Sequence, residues 1–399
     1  MSKSILLITP YYPIPSPNNK ATKVCHYFAK EWTMKGNKVM VIHQMFYHSH
    51  LWQLAYRLFK SQINNRFGGG LFYNERMNKL AHYQMEGVNV YRVPVYKFVP
   101  KGRLKTETLN KFADDIKIIL EKESFVPDII VGHDAPIDLI PQLNDIYHAK
   151  TCFVWHGVSL KFKARYKNIN DIIASYDLLA YRSEGIKNAF EKQFGSFNPS
   201  FICRSGIPEL FVLKQPIKKF ENVLSKFIYV GSLIERKYPS ALLKAIPASN
   251  CKSFDITYVG EGPELINLKT EVKQRSLDNK VCFTGNLKRD EIISLYDKSD
   301  CFIMISRNEA FGLVYLEAMA RGCIVVASKN EGIDGVIKDG VNGFLCEAGN
   351  SEELTNIINR IQDLSPSELQ VVSNNAMNTA KIFTDQKMAE DYLTKLNNI

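Results

Sequence analysis

The sequence contains no run of eighteen apolar residues, about the length that crosses a bilayer as a helix, so no membrane span is expected. The opening ten residues carry one lysine before a short apolar stretch, ILLIT, too short for a secretory signal and better read as a first buried strand. Cysteine is sparse: the eight residues show no CxxC spacing, and Cys152, Cys282, Cys301 and Cys323 fall inside apolar strand patterns. That argues against a zinc site or a disulfide framework and for reduced thiols, hence a cytoplasmic setting. Low-complexity tracts, internal repeats and recognisable nucleic-acid motifs are also missing, so nucleic acid is not expected as a partner.

What is present is ordinary globular material, 45% hydrophobic and 23% charged, and 399 residues are enough for two domains. The net charge of +10 is unevenly spread. Residues 1–208 hold 28 of the 51 Lys+Arg and 16 of the 41 Asp+Glu, a surplus of 12 positive charges, while the remainder has 23 against 25, or −2. A basic first half suits an anionic lipid surface or a phosphate-bearing acceptor.

Strand and helix patterns alternate along the chain, the signature of the α/β class. Strand patterns run over Ser4–Thr9, Lys38–His43, Val88–Pro94, Asp128–Gly132 and Thr151–Trp155, with helical patterns over Ala21–Lys35 and Thr106–Lys122. His133 and His156 each stand directly after a buried strand, at the edge of an α/β sheet where ligands bind. Glu209–Lys226, mostly polar and containing Pro216, reads as a linker, after which Phe227–Val230 opens a second series. The segment from Gln44 to Lys79 differs: Met45, Phe46, Tyr47, Leu51, Trp52, Leu54, Tyr56, Leu58 and Phe59 are interleaved with Arg57, Lys60 and Arg66. Such a basic, aromatic-rich stretch either lies in a membrane interface or packs its aromatics on its own domain.

The organising stretch is Ser306–Ser328, SRNEAFGLVYLEAMARGCIVVAS. A buried strand over Cys301–Ile305 feeds a polar turn with Gly312, then a short helix over Leu313–Arg321, a stop at Gly322 and a strand over Cys323–Ala327. A helix N-terminus after a parallel strand offers free backbone N–H groups and a positive dipole end to an anion, most often a phosphate. Glu309 and Glu317 frame the turn. Carboxylates do not bind phosphate but accept hydrogen bonds from hydroxyls, which together suggests a nucleotide-sugar site. Taken as an isolated pair, Glu309 reads more readily as a solvated loop residue and Glu317 as a complement to the helix dipole, and the surrounding residues reverse that preference.

Glu309, Ala310, Phe311, Gly312 and Leu313, followed by Glu317, Ala318, Met319, Ala320 and Gly322, resemble the donor-site signature of retaining glycosyltransferases of family 4. The resemblance implies a GT-B fold: two doubly wound Rossmann-like domains facing a central cleft that holds the donor. The expected domains are residues 1–208 on the acceptor side, 209–380 for the nucleotide sugar, and 381–399 as a helix crossing back to the first domain. FICRSGIP, Phe201–Pro208, is similar to the family's crossover with Ser205 in place of an asparagine. VWHG is similar to the position of an active-site histidine, which gives His156 a place near the reacting sugar. In GSLIERK, Gly231 and Lys237 match the family's diphosphate-binding turn, but Ser232 replaces its arginine, leaving Arg236 or Arg307 to supply the charge. Gly285 and Leu287, with Asn286 between them, stand where the family meets the base through backbone groups. The amides of Leu313 and Val314 would take the diphosphate, Glu309 the transferred sugar and Glu317 the ribose diol. EGIDG, Glu331–Gly335, departs from the family's GGxxE, and no role passes to it.

The resemblance thus implies a retaining glycosyltransferase that transfers a sugar, UDP-linked in the simplest case, to a glycan or polyprenyl-linked saccharide in surface polysaccharide assembly. The leaving phosphate would take the acceptor proton in a front-face displacement, with His156, Lys237 and Glu309 as catalytic groups. No cofactor or metal is expected, because no carboxylate pair at the turn has DxD spacing. The protein would be cytoplasmic, with the inner membrane face as a peripheral docking surface. Other GT-B enzymes, an epimerase or a phosphorylase, share the scaffold, and a non-catalytic nucleotide-sugar- or glycan-binding subunit is the alternative from another class.

Overall fold

The computed structural model describes residues 2–15, 23–59, 63, 79–98, 102–157, 166, 168–215, 218–220 and 224–399. Pro17, Asn18 and Asn19 of the first loop, Pro216 of the linker, and Lys60 and Arg66 of the aromatic segment lie outside the described residues. The chain forms two compact units. The first joins Met1–Arg182 to Ile186–Cys203 and Met388–Ile399, and the second joins Ser183–Gly185 to Arg204–Lys387.

In the first unit the strands are β1 (Ser4–Thr9), β2 (Lys38–Tyr47), β3 (Ala81–Met85), β4 (Val88–Tyr96), β5 (Ile129–His133), β6 (Lys150–Trp155), β7 (Leu178–Tyr181) and β8 (Ser200–Ile202). They order as β3-β4-β2-β1-β5-β6-β7-β8. Every neighbouring pair is parallel except the β3–β4 edge. The central strands are apolar runs rather than alternating patterns because helices cover parallel sheets on both faces; Ile5, Leu6, Leu7 and Ile8 are all fully buried. Those helices are α1 (Val24–Met34), α2 (His50–Leu58), α3 (Thr106–Lys122), α4 (Leu139–Tyr147), α5 (Ile169–Ala174) and α6 (Glu184–Phe194). Helix α3 shows the cause directly: Leu109, Phe112, Ala113, Ile116, Ile119 and Leu120 recur every three or four residues and are the ones buried.

The second unit is a six-stranded parallel sheet of β9 (Lys226–Val230), β10 (Asp255–Val259), β11 (Val281–Gly285), β12 (Cys301–Ile303), β13 (Ile324–Ser328) and β14 (Phe344–Cys346). Its order is β11-β10-β9-β12-β13-β14, reversing direction between β9 and β12. The helices are α7 (Ser240–Ala248), α8 (Leu265–Gln274), α9 (Arg289–Lys298), α10 (Leu313–Ala320), α11 (Ser351–Gln362) and α12 (Pro366–Ala380). Helix α12 begins with a reciprocal cap, Ser365 accepting from the Glu368 N–H and Glu368 reaching back to the Ser365 N–H, with Pro366 in the first turn.

The boundaries differ from those expected at 208/209 and 380/381, falling instead at Cys203/Arg204 and Lys387/Met388. A backbone bridge is the reason. The Ile207 N–H donates to Phe383 O at 2.8 Å, and the Asp385 N–H donates to Ile207 O at 2.9 Å, tying 204–208 and 383–385 into the second unit. The last helix, Asp385–Asn397, then lays Met388, Ala389, Tyr392 and Leu396 into the first unit, where the Trp32 indole donates to Ala389 O at 3.0 Å. At the organising stretch, strand β12 ends at Ile303, two residues early, although Met304 and Ile305 stay buried.

The aromatic segment divides in two. Met45, Phe46 and Tyr47 belong to β2, and a separate helix runs over His50–Leu58. That helix leaves Leu51 79%, Leu54 54% and Leu58 68% exposed, a stripe at helical spacing not covered by any described residue. No described helix is long and apolar enough to cross a membrane.

Gly206 sits hard against the returning chain: a Cβ there would lie 2.2 Å from the Thr384 carbonyl carbon. Gly206→Ala is therefore expected to destabilise the protein by about 2–4 kcal/mol, because backbone must move. Gly157→Ala, where no described atom lies within 4 Å of the added Cβ, should stay within about 0.5 kcal/mol. Thermal unfolding of both variants measures this, and equal midpoints would contradict it.

Candidate active site

The reversal between β9 and β12 brings two loops together at the carboxyl edge of the second sheet, where α/β folds bind ligands. Beyond β9, Gly231 and exposed Ser232 lead into a 3-10 turn over Glu235–Lys237. Beyond β12, Ser306–Gly312 leads into α10. The Arg307 N–H donates to Arg236 O at 2.7 Å, and the Arg236 guanidinium returns bonds to the carbonyls of Arg307 and Asn308 at 3.2 Å.

This pairing fixes Glu309 against two cations. Its Oε2 lies 3.3 Å from Lys237 Nζ and 3.9 Å from Arg236, and the side chains of Lys237 and Glu309 are each 14% exposed. Of the two arginines expected to replace the missing one at Ser232, Arg236 is the one beside Glu309. The Arg307 guanidinium instead stands over the Tyr238 ring, 5.8 Å from its centroid. Lys237 Nζ also passes close over Gly231. Glu331, to which no role was transferred, holds the loop from behind: its Oε2 accepts from the Glu309 N–H at 2.8 Å, and the Gly332 N–H donates to Glu309 O at 2.9 Å.

Gly312 caps α10 at φ +78°, and a Cβ there would meet the Tyr315 ring at 2.4 Å. Tyr315 donates to Met304 O at 2.7 Å, pinning the helix start to the end of β12. In the first turn of α10 the Tyr315 N–H donates to Gly312 O at 3.1 Å, while the amides of Leu313 and Val314 precede the first intrahelical bond. Ala310 is exposed at the corner of the turn, whereas Phe311 is buried and faces Phe383. Gly285 ends β11 and Leu287 follows it at the same sheet edge, further from the reversal; Gly285 O accepts from the Gly260 N–H at 2.8 Å, and Asn286 donates to Glu261.

Glu317 stands half-buried in α10, without the paired cations that Glu309 has. Burial pushes its carboxyl up to about 7, against the smaller opposing pull of Arg289 and of a hydrogen bond from Tyr296.

In the first unit, strand order reverses between β1 and β5, and the residues beyond these strands and β6 meet. Tyr11 donates to Asp134 Oδ2 at 2.7 Å, and the Tyr11 and His156 rings lie 5.2 Å apart. His133 Nδ1 is 3.0 Å from His156 Nε2. Burial holds both imidazoles well below their ordinary pKa, with Arg182 adding repulsion. Burial also raises the Asp134 carboxyl, opposed by its bonds from Tyr11 and the His156 N–H. Sequence reasoning passed over Tyr11 and Asp134; the usable signal was their place directly beyond β1 and β5, with Asp134 at φ 51°.

Two α/β units built on parallel sheets, each with one reversal of strand order, define the GT-B class. Anabaena HepE, solved in complex with UDP and glucose, shares this fold at a TM-score of 0.68 and 17% identity, over 99% of this chain and 100% of that one. Residues 214–378 match the family described as glycosyl transferases group 1, so the chain carries a group 1 glycosyltransferase domain. N-acetyl-alpha-D-glucosaminyl L-malate synthase of Bacillus anthracis is 40% identical over 93 residues, 23% of this chain and 24% of that protein. Poly(glycerol-phosphate) alpha-glucosyltransferase of Bacillus subtilis strain 168 is 24% identical over 385 residues, 93% of this chain. The match spans only 54% of the length of that relative.

The raised Glu317 carboxyl has a stability consequence of definite sign. An unfolded chain releases this proton near 4.5 and the folded protein near 7, so the folded state pays for ionisation as pH rises between them. Glu317→Gln should accordingly gain about 1–3 kcal/mol relative to the parent between pH 5 and pH 8 in urea unfolding. The same difference at both pH values would give Glu317 an ordinary carboxyl.

Proposed function

We propose that the chain is a retaining, metal-independent glycosyltransferase that takes a sugar from a nucleotide diphosphate sugar, UDP-linked in the simplest case. The observation that carries this reading is the convergence of Lys237, Arg236, Glu309 and the amide end of α10 at one strand reversal. Two cations and free amides suit a diphosphate leaving group, whose charge grows as the glycosidic bond breaks. Carboxylates suit sugar hydroxyls: Glu309 for the transferred sugar and Glu317 for the ribose diol, whose two donors favour the ionised carboxylate. Gly285 and Leu287 would border the base. His156, at the ligand edge of the first unit, would hydrogen-bond a sugar hydroxyl.

No described group has the place of an attacking carboxylate, so the departing phosphate would take the acceptor proton on the same face. The names of the similar proteins, an alpha-glucosyltransferase and a structure holding UDP and glucose, support the donor class. Release of nucleoside diphosphate across a panel of donors tests the activity. Lys237→Ala is expected to lower kcat about a hundredfold while raising KM less than about tenfold, because its charge acts mainly on the leaving group. EDTA should change neither. Strict dependence on a divalent ion would overturn the metal-free reading.

For the acceptor we propose a lipid-linked saccharide at the anionic cytoplasmic face of a membrane, in surface polysaccharide assembly. The excess of positive charge in residues 1–208 and the exposed Leu51, Leu54 and Leu58 stripe support it, since charge attraction and apolar insertion add. The parent protein should bind vesicles containing anionic lipid at low salt, less so at high salt. Replacing the three leucines by serine should lower partitioning at least about tenfold, since each buried leucine contributes a kcal/mol or more. Equal binding to neutral and anionic vesicles would point to a soluble acceptor.

A further inference from the structure

The reading of His156 as a sugar contact leaves open what its ring presents, and the residues behind it answer that. His133 is fully buried at the end of β5, and both its ring nitrogens are engaged. Nδ1 faces His156 Nε2 at 3.0 Å, and Nε2 faces the Tyr392 hydroxyl at 3.2 Å. A neutral imidazole has one donor and one acceptor, so the role of either nitrogen dictates the other.

The direction follows from Tyr392. Among the described residues its buried hydroxyl has two polar neighbours, His133 Nε2 and the Cys152 sulfur at 3.9 Å. Burial keeps that thiol protonated, and a thiol sulfur is a weak acceptor. The imidazole nitrogen is therefore where the hydroxyl proton goes. His133 must then carry its own proton on Nδ1 and donate it to His156 Nε2. With that nitrogen accepting, neutral His156 holds its proton on Nδ1, which has no protein partner among the described residues. Tyr392 is itself held in place, edge-on to Phe28 and Trp32 at 5.2 and 5.1 Å, on the helix anchored by the Trp32–Ala389 bond.

We infer that Tyr392 and His133 are positioning residues that fix His156 as its Nδ1–H tautomer, so that the ring offers its ligand a hydrogen-bond donor. This rests on the proposed sugar contact only for the identity of the ligand. It makes His156 unable to serve as a base through Nδ1, and it gives the C-terminal helix a role in the site that packing alone would not. An imidazole in water favours the other tautomer, so the relay reverses the default and can be read directly.

The experiment is long-range nitrogen–proton NMR on the ligand-free, full-length protein labelled with 15N-histidine, His156 being assigned by the signal lost in His156→Gln. The expected result is a His156 pattern with Nδ1 protonated and Nε2 unprotonated. Tyr392→Phe keeps the ring and removes the proton, so its His156 should shift toward the Nε2–H form, with kcat lowered several-fold and donor KM nearly unchanged. An Nε2–H His156 in the parent protein, or a tautomer indifferent to Tyr392→Phe, overturns the relay whatever the activity. Donor binding and turnover unaffected by His156→Gln, alongside an Nδ1–H signal in the parent, would overturn the sugar contact and leave the relay standing.

Discussion

Parallel strands deliver all their carboxyl ends to one edge of a sheet, and a single reversal of strand order leaves two neighbouring ends whose helices run away from each other. In the second unit those ends belong to β9 and β12. Everything chemically interesting there depends on this placement: Arg236 and Lys237 come from one loop, Glu309 and the amide end of α10 from the other, and backbone bonds between Arg236 and Arg307 lock the loops together. The two loops are about seventy residues apart in sequence, so the charge pairing is a product of topology rather than of local structure.

The two glutamates show how neighbours decide what a side chain does. Glu309 faces an ammonium and a guanidinium at 3.3 and 3.9 Å, and an incoming diphosphate would share those cations with it. Glu317, eight residues on, has Arg289 and a hydrogen bond from Tyr296 to oppose burial, which still pushes its carboxyl up to about 7. One carboxylate is thus set against cations, while the other is held mainly by burial. Glu331 adds a mechanical element, since its carboxylate fixes the backbone on which Glu309 stands.

In the first unit the corresponding edge is uncharged where the second is ionic. Buried imidazoles resist protonation, and His133 and His156 share one contact rather than competing for a proton. The last helix brings the Tyr392 hydroxyl to 3.2 Å from His133 Nε2 in the same unit. A residue near the end of the chain thereby becomes the third member of a group begun at β5 and β6.

The sequence alone determined the α/β class, most strand positions and the organising turn, because buried parallel strands are unbroken apolar runs and Gly312 and Gly322 punctuate the helix between them. The order of residues around them also singled out Lys237, Glu309 and Glu317 as candidates, and the fold sets Lys237 beside Glu309. It could not choose between Arg236 and Arg307, since both are cations next to the right turns and only the folded loops show which one reaches Glu309. Nor could it split Met45–Tyr47 from the helix that follows, because a strand end and an amphipathic helix share the same apolar residues. Tertiary structure alone decided the parts played by Asp134, Glu331 and Tyr392. Each acts through a contact far away in sequence, 259 residues in the case of His133 and Tyr392, and no local periodicity encodes a hydrogen bond across that distance.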